Sequence, residues 1–556
     1  MDDTKNWPLM TLGEAHARLT APGMPFETTD AVIRGVPMTV WKHVPATAAE
    51  LFAKVRAHGA REFLVHEDQR ITYEGFARAV TCLAAHLHAR GLNKGDRVAL
   101  VMKNLPEWPV VFLASLLAGA IVVPLNAWWT GTELGYGILD SGARFIFADG
   151  ERAARLGDLP PSVEQLFVAR GAGGISLENI IGAPESWAAL PDAALPGIAL
   201  APEDDATIFY TSGTSGAPKG ALGTHRALTT NIFAAPFVVA RNALRRGAAL
   251  DAKPRVTLLA VPFFHVIGSL SVLLPNMAAG GKLVLMPRFD AEDAAHLIAR
   301  EQVSVAGGVP AVTLALLDQA KTHDLSSLEL VTYGGAPSPV ALAARVRGEL
   351  GAMPGQGWGM TETSATCTTH SAEDYLRRPG SCGPALPVSK IKILKDGVET
   401  PSGTVGELWA FGPNLVKGYW NRPDATAENF RDGWLKTGDI ASIDAEGFCT
   451  IHDRAIDMVI RGGENIYCIE VENILSEHPA ISDAALVGLP HPLLGEVPAA
   501  LVTAHMPVSE DELRAFAAQR LAAFKVPVKV LVTSLPLPRN ANGKLVKAEL
   551  KKAFGP

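Results

Sequence analysis

The stretch Ala206-Thr207-Ile208-Phe209-Tyr210-Thr211-Ser212-Gly213-Thr214-Ser215-Gly216-Ala217-Pro218-Lys219-Gly220 decides how the rest of this chain is read. Its first five residues form an apolar run of buried-strand type, and the strand delivers a loop of hydroxyls, glycines and one lysine. Glycines let backbone N–H groups approach an anion closely, hydroxyls donate hydrogen bonds, and the lysine adds a full positive charge. A pyrophosphate or triphosphate tail is the natural guest. Taken alone, a run rich in Gly, Ser and Thr is more often a plain solvent loop. The common P-loop is excluded, because Pro218 precedes the lysine and Gly220 follows it in place of a hydroxyl residue.

Outward from this loop the pattern alternates. Residues 72–90 read as a helix, with Thr72 as its cap and Gly91 as its stop. Strands are expected at 97–102, 121–125 and 145–147, with a helix at 107–118 between the first two. After the loop, strands at 257–261, 283–286, 303–306 and 328–333 alternate with helices at 267–277, 291–301, 311–319 and 340–349. Strands separated by helix-length segments predict parallel sheets covered on both faces. The apolar run from Trp108 to Leu125 has membrane-span length, but Pro109, Gly119 and Pro124 interrupt it, so a buried helix feeding a buried strand is expected. Short strands and turns dominate from about 380 to 451. A compact α+β unit follows, with helices at 470–477 and 511–523.

The fold expected is therefore α/β: a large N-terminal domain of two α/β lobes plus a small β-rich lobe, then a small mobile α+β C-terminal domain. Its domain boundaries are 1–453, a hinge at 454–457, and 458–556. At 556 residues several subdomains are expected. A net charge of -7 with no basic run argues against a nucleic-acid partner. The five cysteines lack metal-ligand spacing, and no signal peptide precedes Trp7-Pro8, so a cytoplasmic enzyme with reduced thiols is expected. No transmembrane segment is expected, and a homodimer is left open.

Further motifs line up downstream. Tyr333-Gly334-Gly335-Ala336-Pro337 closes a strand with small residues, where a flat ligand can lie against backbone. Gln356-Gly357-Trp358-Gly359-Met360-Thr361-Glu362 combines an aromatic face, a hydroxyl and a carboxylate, although a capped helix start would also read this way. Asp439 follows Thr437-Gly438, and Arg454 precedes Asp457. Gly462-Gly463-Glu464 can turn the backbone, and Asn542-Gly543-Lys544 is a tight-turn signal that places Lys544 at the start of a strand. Singly, each has a bland reading as a turn or a surface residue.

Together and in this order they resemble the adenylate-forming superfamily of acyl-CoA synthetases, peptide-synthetase adenylation domains and luciferases, closest to the acyl-CoA synthetases. The resemblance implies that Thr211, Ser212, Gly213, Thr214, Ser215 and Lys219 bind ATP phosphates, and that Gly335, Ala336 and Pro337 floor the adenine pocket. It implies that Gly357, Trp358, Gly359 and Met360 flank the adenine, that Thr361 meets the α-phosphate, and that Glu362 ligates Mg²⁺. Asp439 and Arg454 would hold the ribose, Lys544 would be the adenylation lysine, and His265 would position the acyl-adenylate. Gly462, Gly463 and Glu464 would serve the thioester step with coenzyme A. Many relatives have Tyr where Trp358 stands, and the usual hinge Lys or Asp is Ile456 here.

The expected reaction is ATP-dependent formation of an acyl-adenylate, then transfer to CoA with release of AMP and pyrophosphate. Phe233, Phe237, Val266, Ile267 and Gly334 suggest an apolar acyl pocket, favouring a medium- or long-chain fatty acid. Relatives that activate amino acids place an aspartate where this chain has Phe264. Alternatives are an aryl or arylalkanoic acid, or loading of a separate carrier protein. The retained charges at Lys219, Glu362, Asp439 and Lys544 argue against a non-catalytic nucleotide-binding module.

Overall fold

The computed structural model describes residues 7–211, 218–249, 253–336, 338–455, 457–462, 464–539 and 545–555. It is mixed α/β, with a large N-terminal part and a small C-terminal one. Among the described residues, four sheets of five or more strands organise it.

The first sheet has the spatial order Gly418–Tyr419, Gly220–Thr224, Asp205–Tyr210, Ile121–Pro124, Arg97–Val101, Phe145–Asp149, Gln165–Ala169 and Ile175–Ser176. From Asp205–Tyr210 to Ile175–Ser176 every pairing is parallel, as the continuous apolar runs predict. Asp205–Tyr210 and Gly220–Thr224 are antiparallel neighbours. The glycine loop therefore joins the two strands of a hairpin, where a P-loop would join a strand to a helix.

Strands Lys282–Leu285, Val256–Leu259, Val305–Gly308, Leu330–Gly334 and Met353–Met360 form the parallel centre of the second sheet. Strand Glu62–His66 pairs in parallel with Lys282–Leu285, so an N-terminal strand completes the lobe that follows the loop. Between the two sheets lies the main core. Helix Glu107–Leu117 contributes all eleven of its residues to the buried interior, which accounts for its membrane-like composition. Helix Tyr73–Ala89 begins at Thr72, whose hydroxyl accepts the Gly75 N–H at 3.1 Å. No helix among the described residues is long and apolar enough to cross a membrane.

Most expected elements recur within a few residues; the helix over 291–301 is found as Ala291–Glu301. The helix expected over 267–277 is present, but its first part is not α-helical. A seven-residue π-helix, Ile267–Leu273, runs into the short α-helix Leu274–Ala279. Pro275 has no N–H to donate into a regular ladder, and π-turns of this kind gather at functional sites. The helix expected at 511–523 ends earlier, as Glu510–Ala518.

The β-rich lobe is a sheet ordered Gly383–Pro384, Phe448–Arg454, Trp434–Ile443, Gly406–Phe411, Lys390–Lys395 and Val398–Glu399, with Phe430–Arg431 on Trp434–Ile443. The C-terminal unit centres on the long hairpin of Ile481–His491 and Gly495–Ala504, covered by helices Cys468–Ser476 and Glu510–Ala518.

Candidate active site

The ends of the glycine loop are fixed on both sides. Thr211 donates its N–H to the Lys219 carbonyl at 2.9 Å, closing the neck, and Tyr136 donates its hydroxyl to the Pro218 carbonyl at 2.9 Å. The expected phosphate ligands Ser212, Gly213, Thr214 and Ser215 lie outside the described residues, as do Pro337, Ile456, Gly463 and Lys544.

Beside the neck, the Lys219 ammonium stands 5.3 Å from the centroid of the Tyr419 ring. Tyr419 donates its hydroxyl to Glu362 Oε1 at 2.7 Å. Burial, and then the Glu362 charge, push the phenol well above its ordinary pKa, so it remains a donor at neutral pH. Glu362 is itself buried, in the 3₁₀ turn Thr361–Thr363 that follows strand Met353–Met360. Glu362 therefore does sit in the first turn of a short capped helix, Met360 donating its N–H to the Thr363 hydroxyl at 2.9 Å, and its carboxylate meets Tyr419 from there. Tyr419 was not among the residues singled out from the sequence. The only local signal for it is a two-residue strand, Gly418–Tyr419, on the edge of Gly220–Thr224.

Asp439 sits in the interior of strand Trp434–Ile443, directly across from Arg454 in the adjacent strand. Arg454 Nε lies 2.8 Å from Asp439 Oδ1, and Trp358 donates its indole N–H to Asp439 Oδ2 at 2.8 Å. The carboxylate expected at the ribose is thus held from both sides by residues expected at the nucleotide. Gly438 has φ +73, which lets the strand bulge beside this aspartate.

A cavity of about 1360 Å³ reaches this assembly at Trp358; Asp439, Arg454, Tyr419 and Lys219 do not line it. Gly334, Gly335 and the segment Gly357–Thr361 line one part of it, and Phe233, His265, Val266 and Ile267 line another. Gly335, at φ +74, faces Ile267 so closely that an added Cβ would come within 3.0 Å of its Cδ1. The glycine at 359 answers to a different constraint: a Cβ there would meet the Ala365 carbonyl oxygen at 1.6 Å. Ala336 and Glu362 adjoin the lining without forming part of it.

Phe237 stands apart from the other expected acyl-pocket residues. It is fully buried behind Phe233, packed on Phe26 and Trp41 with ring centroids 5.4 and 5.5 Å away, and does not line the cavity. His265 is half-buried at the wall, with its carbonyl accepting from Ser269 N–H and hydroxyl. Cys367 is fully buried and its thiol is pushed up to about 12 by burial, which rules it out as a nucleophile near neutral pH.

In the C-terminal unit, Gly462 has φ +59 and donates to the Leu494 carbonyl at 2.8 Å, and Glu464 is exposed. The turn expected to carry Lys544 is bracketed by an isolated bridge between Arg539 and Leu545. Helix Lys547–Lys552 follows the bridge, where a strand was expected.

A family model described as AMP-binding enzyme matches residues 51–420, and one described as AMP-binding enzyme C-terminal domain matches 470–544. The chain belongs to the AMP-binding enzyme family. It is a member of the adenylate-forming superfamily close to the acyl-CoA synthetases. A feruloyl-CoA synthase of an Amycolatopsis species is 35% identical over 496 residues, covering 88% of this chain and 95% of the relative. A long-chain-fatty-acid–CoA ligase of Mycobacterium tuberculosis is 34% identical over 494 residues, covering 88% of this chain and 94% of its own length. Among solved structures, o-succinylbenzoate coenzyme A synthetase of Bacillus subtilis in complex with ATP and magnesium ion superposes with a TM-score of 0.74 at 32% identity. That match covers 90% of this chain and 99% of the other.

Proposed function

We propose that the protein is an AMP-forming acid–CoA ligase that activates an apolar carboxylic acid through an acyl-adenylate, with a medium- or long-chain fatty acid favoured. The observation that carries this reading is one cavity that joins Trp358, whose indole N–H holds Asp439, to the Val266–Ile267 wall. At about 1360 Å³ it exceeds the roughly 300–1,000 Å³ of an ordinary small-molecule pocket, as a site for two reactants should.

In this reading Asp439 accepts the ribose hydroxyls, with Arg454 and Trp358 fixing its orientation. Lys219 and the loop N–H groups receive the departing pyrophosphate, and Thr361 donates to the α-phosphate. Among the described residues no cluster of three His, Cys, Asp or Glu side chains forms a resident metal site. One buried carboxylate beside a phosphate loop instead fits magnesium that arrives with ATP, since that ion prefers carboxylate and phosphate oxygens. Glu362 would hold it, and the bound cation supplies charge neutralisation on the phosphates. The substrate carboxylate is already a nucleophile and needs no base.

Residues 454–457 are proposed as a hinge between an N-terminal domain ending at 453 and a C-terminal domain of 458–556. The C-terminal domain presents Lys544 for adenylation and Gly463 for thioester formation in turn. The five free cysteines agree with a reducing compartment such as the cytoplasm.

An aryl or arylalkanoic acid is the second reading, favoured by the relative named feruloyl-CoA synthase. Pyrophosphate release with ATP and Mg²⁺, measured across fatty and aromatic acids with and without CoA, tests both readings. CoA-dependent turnover on one class selects it. Release that CoA does not enhance would point to a carrier protein as acceptor, and silence on every acid would overturn the proposal.

A further inference from the structure

Helix Ala234–Arg246 carries Arg241 and Arg245 one turn apart on its inner face, 0% and 2% exposed. Around them converge helix Leu12–Thr20, strand Ala365–Ser371 and helix Ala372–Arg377. Each guanidinium makes one hydrogen bond to this surround. Arg241 Nη2 donates to the Thr369 carbonyl at 3.1 Å, and Arg245 Nη2 donates to Asp374 Oδ1 at 3.1 Å. Among the described residues, Nε and Nη1 of both arginines are buried without a partner, and so are the neighbouring acceptors Asp374 Oδ2, Asn242 Oδ1, His16 Nε2 and His370 Nδ1.

The charges do not balance either. Asp374 is the carboxylate that faces the pair, and it too is fully buried. His16 and His370, the other titratable groups against them, are held down to about 3 by burial and by the arginines, so both are neutral. The neighbouring Arg246 is engaged by Glu373, and Arg378 by Glu446 and Asp444. Trp7 closes the outer side, its ring centroid 5.3 Å from the Arg245 guanidinium carbon. Among the described residues, two guanidinium groups against one carboxylate leave an excess positive charge in the interior, together with N–H donors that have lost water. Buried charges and donors in that condition are costly unless something pairs them.

We infer that a small monoanion of the halide type is bound between Arg241 and Arg245. One negative charge removes the excess, and a spherical acceptor can take N–H bonds from both planar groups at once. Asn242, Thr369 and Ser371, which adjoin the arginines, line the large cavity. The anion therefore ties the helix to the strand at the back of the substrate-binding wall.

The direct test is a crystal of the full chain grown with bromide as the halide. An anomalous peak between the two guanidinium groups is expected. An ordered water bridging them, with no anomalous signal, would overturn the inference. In solution, the Tm of protein exchanged into potassium gluconate should rise saturably by a few degrees as chloride or bromide replaces gluconate at constant ionic strength. The Arg241→Met variant should lose that dependence. Equal Tm values in gluconate and chloride for the unaltered protein would count against the site, whether or not the variant folds.

Discussion

The Tyr419 hydroxyl donates to Glu362 Oε1 at 2.7 Å while the face of the same ring lies beside the Lys219 ammonium. One side chain thus links the carboxylate proposed to hold magnesium to the cation proposed to hold phosphate. Tyr419→Phe keeps the ring and removes the donor. A hydrogen bond to a charged group contributes about 1.5 kcal/mol, so adenylation should fall by roughly tenfold. Because the loss falls on Glu362, the Mg²⁺ concentration for half-maximal pyrophosphate exchange should also rise. An unchanged magnesium dependence would remove Tyr419 from the site.

Trp358 and Arg454 hold opposite oxygens of Asp439. Trp358→Phe preserves an aromatic surface for adenine but deletes the indole donor. The expected result is a KM for ATP raised about fivefold, or ~1 kcal/mol, with kcat little changed. The acid's KM should stay put. Steady-state kinetics with each substrate varied separately checks the split, and a fall confined to kcat would contradict a role in nucleotide binding.

Much of this architecture could be read directly from the chain. Parallel strands buried on both faces write themselves as continuous apolar runs, which is why Arg97–Val101, Ile121–Pro124 and Phe145–Asp149 stood out. Long-range pairing leaves no such trace: Leu64 registers with Leu283, and nothing local to either residue announces the partner. The same holds for the site. Asp439 and Arg454 are singled out only through the family resemblance, and their pairing depends on the register of two strands. Phe237 carried the right chemistry for a pocket wall, yet its helical face turns toward Phe26 and Trp41. Aromatic composition cannot separate a lining residue from the residue behind it.

Lys544→Ala tests the proposed division of labour in the C-terminal domain. Removing one preorganised charge partner should cost adenylation roughly a hundredfold, or ~3 kcal/mol. Thioester formation from preformed acyl-adenylate should largely survive. Single-turnover measurements of the two half-reactions decide it, and equal losses in both would sink the role assigned to Lys544.

Acid stability offers a prediction that needs no substrate. His225 is buried and its Nδ1 faces the Ala48 N–H at 3.4 Å, while His370 is buried with Nε2 2.8 Å from the Ser381 carbonyl. Burial holds the first down to about 4 and the second to about 3, against about 6.5 in an unfolded chain. The unfolded state therefore binds protons that the folded state refuses. The stability these neutral imidazoles contribute is complete above pH 6.5 and is lost as pH falls toward their folded values. Each adds a slope on the order of 1 kcal/mol per pH unit in that window. Asp453 and Glu472, whose burial raises their carboxyl pKa, act in the opposite sense and soften the total. Urea unfolding at pH 7, 6 and 5 should show stability falling with pH, and His370→Gln should flatten the slope by about one proton's worth. A variant with the parent's slope would mean that His370 already takes up its proton in the folded state.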